Sequence, residues 1–153
     1  MNSKDKLSPK RSVGVRKENS RDERSVVGDY DKKIVFSFKD FDDSQGAGQS
    51  YCDWQKEKLL SEMLKHFEEI CKWSIVEAIS NKKLSIYSKF PLNTDFKKPK
   101  HIADDVKWAA IKDVKGQKHR VIGHVMDNVF YVVFLDKDHR FWLTKKNIRD
   151  LLP

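Results

Sequence analysis

Four histidines, His101, His119, His124 and His139, fall within forty residues of one another, and the same stretch carries Arg120, Arg140 and a lysine run at Lys97, Lys98 and Lys100. Imidazoles that titrate near neutrality beside fixed cations suit metal-free cleavage of a phosphodiester. One group must take the 2′-hydroxyl proton, another must protonate the leaving 5′-oxygen, and positive charge must face the phosphorane. Each residue also has a plainer reading. His119 suits an edge strand, His124 a half-buried core position, DKDHR (136–140) a solvated turn, and the lysine run a solvated loop.

Other chemistries find less material. The histidines lack the close spacing of zinc ligands and neither cysteine neighbours one, so no metal is expected. No nucleophile elbow is present for a Ser–His–Asp hydrolase. The GAG of Gly46 to Gly48 is not followed by the Gly or Lys of a phosphate-binding loop, so no nucleotide cofactor is expected either.

A sheet must position these residues. From Val106 to Trp142 three apolar, β-branched or aromatic runs alternate with polar gaps, which predicts a three-stranded antiparallel meander. Its strands are VKWAAIKDV, KHRVIGHV and VFYVVFL, turned at Gly116-Gln117 and at Asp127-Asn128. The third run is apolar on both faces and so belongs under cover on both sides. Side chains alternate across a strand, which puts Arg120, Ile122 and His124 on one face and His119, Val121, Gly123 and Val125 on the other. One face is then expected to pack on helices, while the other presents Arg120 and His124 toward the lysine loop and the DKDHR turn.

Upstream, Lys33 to Phe38 reads as a first strand and the Asp-, Ser- and Gly-rich stretch after it as a loop. Apolar residues from Trp54 to Cys71 recur every three or four positions, predicting an amphipathic helix over Cys52 to Trp73 capped by Ser50 or Asp53. Ser74 with Glu77 resembles a capping box for a second helix reaching Ile79. Leu84 to Tyr87 suits a brief strand or an extended edge. The long loop that follows holds Pro91, Pro99 and the lysine run, with Phe90 and Phe96 able to pin it. Thr144 to Leu152 suits a short terminal helix. The expected fold class is α+β: an antiparallel sheet made of the N-terminal strand plus the C-terminal meander, two helices packed on one face, and a short C-terminal helix.

The 153 residues, 39% hydrophobic, can bury one core, expected over 33–153, with 1–32 a disordered polar tail. A formal net charge of +8 favours polyanionic partners, although charge also serves solubility. Cys52 and Cys71, nineteen positions apart on one straight helix, would lie roughly 28 Å apart, beyond disulfide reach. Reduced thiols, no apolar run of membrane-spanning length and no signal-peptide hydrophobic region point to a cytoplasmic protein without a membrane partner.

The stretch HRVIGHVMDNVFYVVFLDKDHRFW resembles the C-terminal hairpin of RelE/ParE-superfamily toxins, in which an arginine-bearing strand, a two-residue acidic turn, an apolar strand and a late histidine follow one another. The order of elements is similar over about residues 33–150; the 32-residue N-terminal segment is foreign to that pattern, and Phe141 and Trp142 stand where a tyrosine would follow His139. The resemblance implies a RelE-like fold and a toxin of a toxin-antitoxin system that cleaves mRNA, usually on the ribosome, and is held inactive by a cognate antitoxin. It places Arg120 at the scissile phosphate and His139 in acid–base chemistry. With the chemistry above, His139 and either His124 or His101 transfer protons. Lys97, Lys98, Lys100, Lys118 and Arg140 contact the RNA backbone, and Trp142 stacks on a base. The alternative is a non-catalytic module of the same fold that binds RNA, the ribosome or a protein; a third reading is a ParE-like toxin acting on a topoisomerase.

Overall fold

The structure is a computed structural model and describes residues 32–116 and 118–143. The expected polar tail before Lys32, the turn residue Gln117 and the expected terminal helix after Thr144 lie outside the described residues. The chain is α+β: β1 (Val35–Ser37), α1 (Tyr51–Lys56), α2 (Leu59–Ile70), α3 (Ile75–Ser80), β2 (Leu84–Ser88), β3 (Lys107–Ile111), β4 (Arg120–Met126) and β5 (Val129–Asp136). The five strands form one sheet in the order β1-β5-β4-β3-β2.

The meander forms as its alternation predicts, with Asp127 at φ 56 opening the tight β4–β5 turn. β2 is a true edge strand, antiparallel to β3. The sheet is mixed rather than wholly antiparallel, because β1 runs parallel to β5. Chain direction explains this. Phe38, just past β1, touches Tyr51 at the start of α1, while Trp73, just past α2, accepts a hydrogen bond from Ile34 N at 2.9 Å. The chain thus climbs beside β1 and descends through α3, so β2 starts from the end where β1 finished and points against it. Three antiparallel steps then leave β5 pointing with β1.

The helix expected over Cys52 to Trp73 is two helices. Lys58 takes a left-handed backbone (φ 61) between α1 and α2. The buried residues record the break: Trp54 and Leu59 are five apart, whereas Leu59, Met63, Phe67 and Ile70 keep the spacing of one helical face. Cys52 and Cys71, now on separate elements, are exposed free thiols. Both expected caps form: Ser50 and Asp53 start α1, and Ser74 and Glu77 start α3, each as a reciprocal capping box. Each such cap contributes about 1 kcal/mol.

Both sheet faces are covered. On the helix face Ile34, Trp54, Met63, Phe67, Ile111, Val121 and Leu135 form one core. On the other face the chain from Phe90 to Ile102 crosses the sheet and builds a second core of Phe96, Trp108, Ile122, Phe134 and Phe141. A β-bulge separates two registers in the hairpin. Gly123 pairs with Val132 but Ile122 pairs with Phe134, leaving Val133 as the extra residue. Val133 and Phe134 therefore both reach the second core, and the bulge sets Asp136, not Leu135, opposite Arg120.

Candidate phosphate-contacting site

β4 delivers Arg120 and His124 to the same sheet face, as alternation requires. They stand four residues apart along the strand, roughly 13 Å, and the second core lies between them. They anchor two separate polar groups.

At the first end Arg120 faces Asp136 across the strand pair. Two of its guanidinium nitrogens, Nε and Nη1, are buried and have no hydrogen-bond partner. Buried donors are almost always paired, so two orphaned ones on a cation mark a place where an acceptor is wanted. Asp136 does not supply it. Fully buried, it accepts instead from Arg140 N at 2.9 and 3.0 Å and from Phe141 N at 2.9 Å. Burial pushes its carboxyl up to about 6, against those two amides and the Arg120 charge.

The turn held by Asp136 carries His139, whose backbone is left-handed at φ 61, an uncommon conformation outside glycine that histidine tolerates better than most side chains. Burial, then the charges of Arg120 and Lys118, hold the imidazole below its ordinary pKa, so it is neutral at pH 7 and able to accept a proton. The phenol of Tyr87 belongs to the same group. Burial raises its pKa, Arg120 pulls it down and Asp136 pushes it up, leaving it protonated. Trp142, 40% exposed, stacks on Tyr87 with ring centroids 4.8 Å apart.

At the second end His124 Nε2 meets Asp40 Oδ2 at 2.9 Å, and the ring stacks on Tyr131 at 4.7 Å. Burial pushes the Asp40 carboxyl up, but the hydrogen bonds from His124 and Lys39 outweigh it and keep its pKa low, so Asp40 is charged and accepts. Burial also lowers His124 despite that partner, and its Nδ1 is buried without one. His101 joins this end, donating Nε2 to the Asp40 carbonyl at 3.1 Å. His124 and His101 therefore sit away from Arg120 and cannot transfer protons at the phosphate it would hold. A cleft of about 390 Å³ also lies at the His124 end, with Asp105 and Asp127 among its lining residues. Carboxylates there do not suit a nucleic-acid backbone.

The other expected contacts divide in the same way. Lys98 is occupied within its own loop, holding the Pro99 and Ile102 carbonyls and Asp104. Lys97 is fixed by its backbone, which pairs at both N and O with the Gln45 amide at 2.7 Å. Lys97 and Lys100 are exposed near the His101 end, and Lys118 is exposed near His139. Arg140 gives Nε to Asp95 at 2.7 Å, which ties the turn to the crossing loop. Asp136, Tyr87 and Asp95 were not among the sequence candidates. Among the described residues no three His, Cys, Asp or Glu side chains converge as a metal-ligand set, and none of the helices is long and apolar enough to cross a membrane. Comparison with protein-family models, curated proteins and solved structures finds no match.

The second end gives a pH prediction. Unfolded, His124 titrates near 6.5, and folded it titrates lower. As pH falls the unfolded chain binds the proton first. The stability contributed by neutral His124 is therefore present above about pH 6.5 and is lost as pH drops through the folded value. His139 acts in the same direction; Asp136, protonated more readily when folded, acts oppositely below about pH 6. Tm is expected to decline between about pH 7 and pH 5, and to decline less in His124→Phe, which keeps the stack on Tyr131. Equal slopes in the two thermal-melt series would refute this account of the pair.

Proposed function

We propose that the protein is a metal-free endoribonuclease acting on mRNA, with its chemistry at the Arg120 end of the sheet. The observation that carries this reading is the pair of buried, unpartnered Arg120 N–H groups, set in one electrostatic group with His139 and Lys118. Arg120 donates to a phosphate oxygen as negative charge builds in the pentavalent state. Neutral His139 takes the 2′-hydroxyl proton, and protonated Tyr87, which shares the field of Arg120, protonates the leaving 5′-oxygen. Lys118 draws the RNA backbone in, and Trp142 offers an aromatic ring for a base. The net charge of +8 suits a polyanionic substrate. By likeness to RelE-type toxins, the setting would be cytoplasmic, with the ribosome as the place of cleavage and a cognate antitoxin as the inhibitor.

The test is incubation of the purified protein with mRNA in a translating extract. Cleavage that is lost in Arg120→Ala and in His139→Ala is the expected result. Intact RNA that remains bound by the wild type would instead establish a non-catalytic binding module, and growth arrest without RNA loss would point to another target.

A further inference from the structure

We infer that Asp136 is a positioning residue: its buried carboxylate, by accepting the Arg140 and Phe141 amides, holds the turn in the one shape that keeps His139 beside Arg120. The inference rests on reading Arg120 and His139 as the chemical pair.

The turn after β5 is anchored by its backbone on both sides of His139. Lys137 N donates to Gln49 Oε1 at 2.8 Å, and Asp95 N donates to Arg140 O at 3.0 Å. Leu143 N donates to Asn93 O at 3.0 Å, and Phe141 is buried in the second core. Between these anchors the bonds from two amides to Asp136 are the ones that close the loop over His139, spanning Asp136 to Arg140 and Asp136 to Phe141. The carboxylate is costly to keep there. It is fully buried, yet its oxygens accept from main-chain amides while Nε and Nη1 of the guanidinium facing it across the strands stay without partners. A salt bridge between the two would consume Arg120. Committing Asp136 to the turn leaves the arginine N–H groups for a ligand and makes the carboxylate a fixed counter-charge behind them.

The experiment uses the full chain, with Asp136→Asn as an uncharged isostere and Asp136→Ala as the second variant. His139 titration and amide hydrogen exchange are read by NMR, and RNA cleavage by kcat and KM. In Asp136→Asn the Arg140 and Phe141 amides are expected to exchange at least about tenfold faster than in wild type, with the Val132 and Phe134 amides unchanged. His139 should titrate closer to its ordinary value as the ring leaves the field of Arg120, and kcat should fall at least about tenfold with KM within about twofold. Unchanged exchange and an unmoved His139 titration overturn the inference. If wild type does not cut RNA but His139 and the two amides respond, the ribonuclease reading fails and the positioning role stands. Normal cleavage by a variant with unmoved His139 gives the reverse. Should neither variant fold, exchange in the wild type decides: Arg140 and Phe141 amides protected like those of β5 support the role, and amides exchanging like exposed turn amides refute it.

Discussion

If the proposed ribonuclease reading holds, Arg120→Met is expected to remove RNA cleavage and to leave the protein at least as stable as wild type. Methionine keeps the apolar stem and deletes a guanidinium whose Nε and Nη1 are buried without partners in the free protein. Leaving such donors unpaired costs about 1–3 kcal/mol, so their removal is expected to raise the unfolding free energy by about 1 kcal/mol. A transition-state donor is worth about 10²–10³ in rate, which sets the expected loss in kcat. Gain in one quantity with loss in the other is the mark of a residue kept for its ligand rather than its fold. Denaturant unfolding beside the cleavage assay checks both. A variant less stable than wild type that still cuts RNA would show that Arg120 is structural.

Gly123→Ala is expected to be the most damaging glycine-to-alanine change among the described residues. A Cβ at this position would stand 2.0 Å from the Tyr131 carbonyl oxygen and 2.7 Å from Phe130 Cε1. Backbone cannot yield as a side-chain end can, so β4 and β5 must separate where the bulge joins their two registers. The expected loss is about 3 kcal/mol or more, a large share of the roughly 5–15 kcal/mol that holds a domain folded. Gly46→Ala, where a Cβ meets nothing within 4 Å, is the matched control. A Gly123→Ala protein whose midpoint in urea matches the control would contradict the close packing of the hairpin.

These cases show where the sequence could be read and where it could not. Alternation along KHRVIGHV placed Arg120 and His124 on one face, since a strand has only two faces. The capping boxes at Ser50 and Ser74 were legible because they are local, closing within three residues. The bulge was not. A two-residue turn at Asp127-Asn128 implies that Leu135 faces Arg120, and only the extra residue Val133 brings Asp136 there. The second face was expected to offer its polar residues together; instead the loop's aromatics fill the space between them, a consequence of packing that no short pattern encodes. The link from His124 to Asp40 joins residues 84 positions apart. The break at Lys58 left a trace in the five-residue gap between Trp54 and Leu59, which a continuous helix would have placed on different sides.

The parallel union of β1 with β5 bears on how the chain is made. Lys33 and Asn128, bonded at 2.8 Å, are 95 positions apart. The first strand leaves the ribosome long before its strand neighbour exists, and until the last hairpin emerges Ile34 and Phe36 have only the helical side of their core, Phe67 among it, to meet. Contacts between such distant segments form slowly, because the closure entropy must be met before they reward it. The pairing of β1 therefore waits until β5 has emerged, and Asp136, which holds His139 in place, is among the last of the described residues to arrive.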